Sequence, residues 1–227
     1  QVAIRGDRQA LRAVSSCLAC QSERVRRFVG KAVLHIADRG DRTAVEVVAE
    51  YLEHEAREVR KATLRALETV ATQNGTHSVE TVAQRLEHQD AEVRAAAIKA
   101  LKRVGTIGHP VVLAAIHRRL NDAEPHTRCA AVEALAAMSR KGDSDSFDRV
   151  RRSCLDRELD VRKMAARKLG QIAEKNSLSA IKSVGTLLQH KDEEVRESAV
   201  DSLLDVADRN NLNMLHAISL RLESPSA

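Results

Sequence analysis

The feature that most constrains this chain is a Val-Arg pair that returns every 34 residues. The pair occurs six times with no insertion between copies, and Thr replaces Val in the fourth copy. The copies are Val25-Arg26, Val59-Arg60, Val93-Arg94, Thr127-Arg128, Val161-Arg162 and Val195-Arg196. An internal period of this length predicts a stack of similar small units, because a protein with one large core would not require a constant spacing of these residues.

Apolar residues keep fixed distances from each of these arginines. Leu or Val follows every Arg by seven residues, at Val33, Leu67, Leu101, Leu135, Leu169 and Leu203. Val or Ile precedes it by twelve, at Val14, Val48, Val82, Ile116, Val150 and Val184. These helical spacings divide each unit into two amphipathic helices, here termed helix A and helix B. In the second unit we expect helix A at 41–53 and helix B at 56–73.

Gly or Asn recurs at one position between units, and both residues tolerate the left-handed conformation that closes a helix C-terminus. The position is occupied by Gly6, Gly40, Asn74, Gly108, Gly142, Asn176 and Asn210. The next position mostly carries N-cap residues, so helix A is expected to begin there. Pro110 and Pro125 each fall one step inside a predicted helix, where proline is tolerated.

Neither helix of a unit can bury its apolar face alone, so the units must stack on one another. The sequence therefore predicts an all-α fold, a right-handed α-solenoid with six complete units from about residue 7 to residue 210. Val2 and Ala3 fall where the last turn of a preceding helix B belongs, and residues 211–223 form a helix A without its helix B. We accordingly expect the chain to be an excerpt from a longer array.

The segment RLNDAEPHTRCAAVEALAAM at 119–138 resembles a HEAT repeat, as do EHQDAEVRAAAIKAL and QHKDEEVRESAVDSL. The resemblance extends over essentially the whole chain. It implies that an Asp in the turn pairs with the Arg of Val-Arg, which here gives Asp122 with Arg128 and Asp156 with Arg162. The other units carry Cys20, His54, His88 and His190 at the Asp position. We expect the ladder of pairs to be interrupted in those units.

The cysteines and the turn histidines suggest metal ligands at first sight. Cys17 and Cys20 form a C-x-x-C pair, but Cys129 and Cys154 lie three and four units further on, so no second pair completes a zinc site. Residues at equivalent turn positions stand ~10 Å apart in stacked units, too far to share an ion. We therefore expect no metal and no cofactor, and we interpret the cysteines as reduced and the protein as intracellular, most simply cytoplasmic.

Catalytic and membrane motifs do not stand out. The chain has no stretch of 18 apolar residues, no Gly-rich phosphate loop and no H-E-x-x-H. Deoxyhypusine hydroxylase is a HEAT-type enzyme that holds iron with His-Glu pairs on helix B. The six matching positions here, of which Arg27-Phe28 is the first, contain no such pair. The expectation is a protein without enzymatic activity.

Helix B carries a stripe of charge on its outward side, and the HEAT resemblance implies that the B helices line a concave groove. The basic positions of the stripe are Arg27, Lys31, Lys61, Arg65, Lys99, Arg103, Lys163 and Arg167. The sixth unit is acidic instead, with Glu197, Asp201 and Asp205. Such a stripe can also be an ordinary solvated helix face.

Two functions fit this stripe. The first is a non-catalytic scaffold whose groove binds another protein, preferably an acidic helix or tail, while the acidic sixth unit meets a basic end of the same ligand. The second is nucleic-acid binding through the phosphate backbone, which the net charge of +5 permits. The scarcity of aromatic side chains for base stacking, only one Tyr and two Phe, disfavours the second.

Overall fold

The computed structural model describes residues 5–222, and every regular element in this range is helical. The α-helices are α1 (Arg8–Ser15), α2 (Glu23–Ile36), α3 (Arg42–Ala49), α4 (Arg57–Val70), α5 (Thr76–Ala83), α6 (Ala91–Val104), α7 (Pro110–His117), α8 (Pro125–Met138), α9 (Ser144–Ser153), α10 (Leu159–Ile172), α11 (Leu178–Leu187), α12 (Glu193–Val206) and α13 (Leu212–Leu222). Val2, Ala3 and residue 223, which the sequence assigned to partial units, lie outside the described residues.

The chain divides into two compact units, the first ending at Arg119 and the second beginning at Leu120. In the first compact unit, which contains several repeats, helices α1, α3, α5 and α7 pack in order as a row of A helices, and α2, α4 and α6 pack in order as a row of B helices. In the second unit, the B helices α8, α10 and α12 pack in order, and α11 packs against α13. This layered packing of helix pairs confirms the α-solenoid.

The core lies between the two rows and is almost entirely aliphatic. The Leu that follows the repeat Arg by seven residues is fully buried in α4, α6, α8 and α10, at Leu67, Leu101, Leu135 and Leu169. Leu18, Leu52 and Leu86, at the end of helix A, are fully buried as well. Each such burial is worth roughly 1.5–3 kcal/mol, so the periodic apolar positions supply most of the stabilisation of each layer.

The helices are shorter than the sequence pattern indicated. Helix α3 ends at Ala49 and continues as a 3₁₀ turn at Glu50–Glu53, and α4 ends at Val70 where helix B was expected to reach residue 73. Equivalent 3₁₀ turns follow α1, α5 and α7, at Ser16–Ala19, Gln84–Glu87 and Arg118–Asn121. The tighter 3₁₀ winding brings the chain around to helix B within a few residues, which an apolar period alone does not reveal.

The Gly/Asn position is left-handed, as expected, but it does not close the preceding helix. Six of its residues have a positive φ, namely Gly6, Gly40, Asn74, Gly108, Gly142 and Asn176, whereas Asn210 is absent from this group. The N–H of Gly40 donates to the carbonyl of Val70 at 2.7 Å, so it caps the end of the helix B that follows. The same bond joins Gly6 to Ile36, Asn74 to Val104, Gly142 to Ile172 and Asn176 to Val206. In these five helix pairs the bond ties the start of the pair to its end.

The arginine of the repeat braces the turn between helices A and B. The Nη1 of this arginine donates to two main-chain carbonyls. In the fourth repeat, Arg128 donates to Asp122 at 2.8 Å and to Ala123 at 2.9 Å. Equivalent pairs of bonds are made by Arg26, Arg60, Arg94, Arg162 and Arg196. Because the acceptors are backbone oxygens, this turn contact persists where Cys or His replaces Asp. Carboxylate pairs of the repeat Arg are interrupted within residues 5–222 at Arg26, Arg94 and Arg196, as expected, but not at Arg60.

The carboxylate ladder exists, but it connects neighbouring layers. Arg128 binds both oxygens of Asp156 through Nε and Nη2 at 2.8 Å each. Arg162 binds Asp192 at 2.7 Å, and Arg60 binds Glu92 at 2.9 Å. The expected side-chain pairs, Asp122 with Arg128 and Asp156 with Arg162, are therefore wrong, since each of those arginines reaches its own turn only through main-chain oxygens.

The turn histidines act as local hydrogen-bond acceptors. The Nδ1 of His190 accepts from the N–H of Asp192 at 3.1 Å. Nδ1 of His54 and of His88 accepts in the same way from the second residue after it, at 3.0 Å in both turns. The carboxylate of Asp122 occupies this role in the fourth unit, where it accepts from the N–H of Glu124 at 2.9 Å. His and Asp are interchangeable here because both offer an acceptor two residues before an unpaired N–H.

Candidate functional site

The basic stripe of the first compact unit lies on α2, α4 and α6, which pack side by side. Lys31, Lys61 and Lys99 are exposed to solvent, as are Arg27 and Arg103. Arg65, on the middle helix, is half-buried. The outward direction that the 3.6-residue period predicted for these six side chains is therefore confirmed.

Carboxylates on the same surface neutralise the three arginines. Glu23 binds Arg27 at 2.7 Å and also lies 3.9 Å from Arg65. The hydrogen bond from Arg27 and the positive charge of that side chain lower the pKa of Glu23, so this carboxylate is ionised at neutral pH. Glu68 binds Arg103 at 3.0 Å. These pairs are exposed and each contributes little to stability, but they reduce the net charge of the stripe.

The lysines are the cations that remain available. The ammonium of Lys31 lies 5.9 Å from the centre of the Phe28 ring, a cation–π contact that leaves its charge in place. Lys61 and Lys99 form no ion pair within residues 5–222. One unpaired lysine of the stripe therefore projects from each of the three B helices of the first compact unit.

The second compact unit carries the rest of the predicted stripe. Lys163 lies 3.6 Å from Glu194 of the next helix B and is partly neutralised, whereas Arg167 is exposed. Glu197, Asp201 and Asp205 are exposed along α12. They follow one another at intervals of four residues, and like charges at this spacing weaken a helix slightly.

Sequence reasoning missed Glu23 and Glu68, which decide how basic the stripe is. Glu23 precedes Arg27 by four residues on α2, a spacing that signals an ion pair on a helix. Glu68 pairs with Arg103, 35 residues later, which is one repeat plus one residue. This pair joins neighbouring B helices, and no short-range spacing in the sequence signals it.

A polar cavity of about 280 Å³ lies on the A-helix row of the first unit and includes Glu46, His77 and Glu80. Its polar groups have neighbours: His77 lies 3.4 Å from Glu46, and Arg119 lies 2.8 Å from Glu80 and forms an ion pair with it. Burial raises the pKa of Glu80, but hydrogen bonds and charge from Arg119 and Arg118 outweigh it and lower the pKa overall. Since its polar groups contact one another across neighbouring A helices, we interpret the cavity as a structural seam between layers.

The cysteines show no sign of chemistry. Cys17 and Cys20 are free and half-buried. Burial raises the pKa of the Cys154 thiol to about 12, which keeps it protonated and unreactive. Within residues 5–222 no group of three or more His, Cys, Asp or Glu side chains is arranged to hold a metal ion. None of the helices in that range combines the length and the apolar character needed to cross a bilayer.

Comparison with known proteins identifies the repeat. Residues 79–163 match the family model of HEAT repeats, which confirms the resemblance carried by the Val-Arg motif. The HEAT-like repeats protein of the archaeon Thermococcus onnurineus NA1 is 17% identical, with a TM-score of 0.43 over 88% of this chain and 88% of that one. The CpcE–CpcF complex of phycocyanin lyase from Nostoc sp. PCC7120 is 19% identical, with a TM-score of 0.42 over 94% and 81%. No curated protein matches the sequence.

Proposed function

We propose, from the match of residues 79–163 to HEAT repeats, that this chain is a non-catalytic scaffold for an acidic segment of another protein. The segment lies across α2, α4 and α6, on the surface that carries Lys31, Lys61 and Lys99. The observation that carries the proposal is that these exposed lysines have no carboxylate partner within the described residues. An incoming carboxylate therefore finds three cations without displacing an ion pair of the protein.

The charges around the lysines favour a protein partner over nucleic acid. Glu23 and Glu68 are exposed on the same helices and would repel a continuous phosphate backbone. An acidic peptide can leave uncharged residues opposite these two glutamates, whereas a nucleic acid carries one charge per nucleotide. Phe28 is the one aromatic side chain on the three helices, so a platform for stacking successive bases is missing there.

The proposal is tested with a triple charge reversal, Lys31→Glu, Lys61→Glu and Lys99→Glu. Binding of a fluorescein-labelled glutamate-rich peptide is measured by anisotropy at low ionic strength, beside single-stranded and duplex DNA of similar length. The peptide is expected to bind the unmodified chain, to weaken as salt is added, and to lose most of its affinity for the triple variant.

A matched control separates the stripe from net charge. Arg42→Glu, Arg152→Glu and Lys182→Glu together change the net charge by the same amount, and all three side chains are exposed without an ion pair in residues 5–222. This control is expected to retain most of the affinity, losing only the long-range part. Equal loss in both variants would remove the stripe from consideration, and DNA binding tighter than peptide binding would favour the nucleic-acid alternative.

A further inference from the structure

The cations across the B-helix row recur at a regular distance. Lys31, Arg65 and Lys99 each follow the repeat arginine by five residues, so they occupy equivalent places on α2, α4 and α6. Helices packed side by side lie about 8–10 Å apart. A segment that crosses the row therefore meets one cation about every 8–10 Å.

Three regular conformations can be compared with this distance. In a β-strand, side chains on one face repeat about every 6.6–6.8 Å, which is too short. In polyproline II, three residues make a turn with a rise of 3.1 Å each, so every third side chain lies on one face about 9.3 Å from the next. In an α-helix, two turns of seven residues cover about 10.5 Å. Polyproline II and the α-helix both remain possible on distance alone.

The absence of apolar surface decides against the helix. No large hydrophobic side chain is exposed on α4 or α6, both of which are fully described, and only Val25 and Phe28 are exposed on α2. A short acidic helix is marginal in water and needs an apolar face to bury when it binds. A charged segment extends by self-repulsion and already populates polyproline II before binding, so that conformation requires less ordering.

The carboxylates beside the row limit the width of the ligand. Glu23 contacts Arg27 and Arg65, and Glu68 contacts Arg103, so negative charge lies beside the row in two of its three layers. A broad acidic surface would meet these glutamates as well as the lysines. A single file of carboxylates meets the cations and avoids most of the repulsion.

We infer that the bound segment is an acidic stretch in the polyproline II conformation that places a carboxylate at every third residue, one opposite each repeat. The inference rests on the proposed function and specifies its ligand. Lys31 and Lys99 receive the outer carboxylates, and Lys61 and Arg65 of the middle helix share the central one.

The experiment compares three 22-residue peptides of one composition, each with four glutamates among Pro, Ser and Ala. The glutamates are placed at every third residue, at every seventh residue, or in one block. Each peptide is titrated into the whole chain at low ionic strength. A block spans at most two layers, so the every-third peptide gains one or two additional contacts and is expected to bind about threefold to thirtyfold more tightly.

Position-specific variants complete the test. Lys99→Glu is expected to remove most of the advantage of the every-third peptide, whereas Arg42→Glu, at an exposed site on α3 in the row of A helices, is expected to preserve it. Equal affinity for the every-third and block peptides would overturn the inference and leave the proposed function standing. Tightest binding of the every-seventh peptide would overturn it in favour of a helix. If no peptide binds, the inference and the proposed function both fail.

Discussion

Replacing Arg128 by Ala should destabilise the second unit more than the same change at an equivalent arginine destabilises the first. The Arg128 side chain is 5% exposed and makes four hydrogen bonds, two to turn carbonyls and two to the carboxylate of Asp156. The Asp156 side chain is itself only 13% exposed, and removal of Arg128 leaves this carboxylate without its cation. Breaking a buried ion pair from one side typically costs about 3–5 kcal/mol.

Arg94 supplies the matched comparison. It makes the same two turn contacts, to His88 at 2.9 Å and Gln89 at 2.6 Å, but forms no ion pair in residues 5–222. The turn bonds are lost in both variants, so the difference between them reflects the contact with Asp156, and a hydrogen bond from a charged donor is worth about 1.5–3 kcal/mol. Arg94→Ala should therefore cost about 1–3 kcal/mol less than Arg128→Ala, and Arg128→Lys, which keeps the charge and loses the planar fork, should fall between them.

Urea unfolding followed by far-UV circular dichroism measures these losses, with midpoints compared because repeat arrays can unfold stepwise. Burial raises the pKa of Asp156, but the hydrogen bonds from Arg128 and from the Glu158 backbone lower it overall. A carboxyl with a depressed pKa stabilises the fold above its unfolded value of about 3.9, and the effect is lost as the pH falls through the folded pKa. The difference between the two Ala variants should hence shrink in acid. Equal losses at pH 7 would show that the carboxylate contributes nothing beyond the turn bonds.

Two further perturbations follow from local geometry. Burial lowers the pKa of His190, and the charge of Arg162 lowers it further, so the contribution of this side chain to stability is present above about pH 6.5 and is lost as the pH falls. His190→Asn keeps a hydrogen-bond acceptor that cannot titrate, so it should reduce the loss of thermal stability between pH 7 and pH 5. An unchanged pH dependence of the melting temperature would contradict this prediction. At Gly170 an added Cβ would lie 2.7 Å from the carbonyl oxygen of Ser202, whereas at Gly30 the nearest atom is 3.0 Å away. Replacing Gly by Ala raises helix propensity by about 1 kcal/mol at both positions. Because of the closer contact, Gly170→Ala should lower the free energy of unfolding in urea by about 1–3 kcal/mol, whereas Gly30→Ala should stay within about 1 kcal/mol of wild type. Similar values for the two variants would refute the packing argument.

The sequence predicted the layers well because their cause is periodic. Leu67 and Leu101 are both buried because they occupy the same position of a 34-residue repeat, and the repeat is recognisable from the sequence alone. The positions of the stripe lysines followed from the same period. Helix ends were predicted less accurately, since the 3₁₀ turn at Glu50–Glu53 depends on how the backbone closes and leaves no apolar signal.

The partners of charged side chains were harder to predict. Arg128 has Asp122 six residues away in its own turn and Asp156 in the next layer, and the HEAT resemblance implied the first. The choice depends on the offset between stacked layers, which places the guanidinium opposite the second carboxylate. For the same reason the neutralisation of Arg103 by Glu68 became visible only in three dimensions.

The bond between Gly40 and Val70 has a consequence for how such a chain can change in length. Because the polypeptide enters and leaves each module at almost the same point, gain or loss of one whole module joins ends that are already neighbours. Insertion of a single amino acid would instead move the residue in the left-handed conformation, such as Gly40, away from the carbonyl to which it donates, such as that of Val70. This accounts for six copies that drift freely in composition and yet never differ in length.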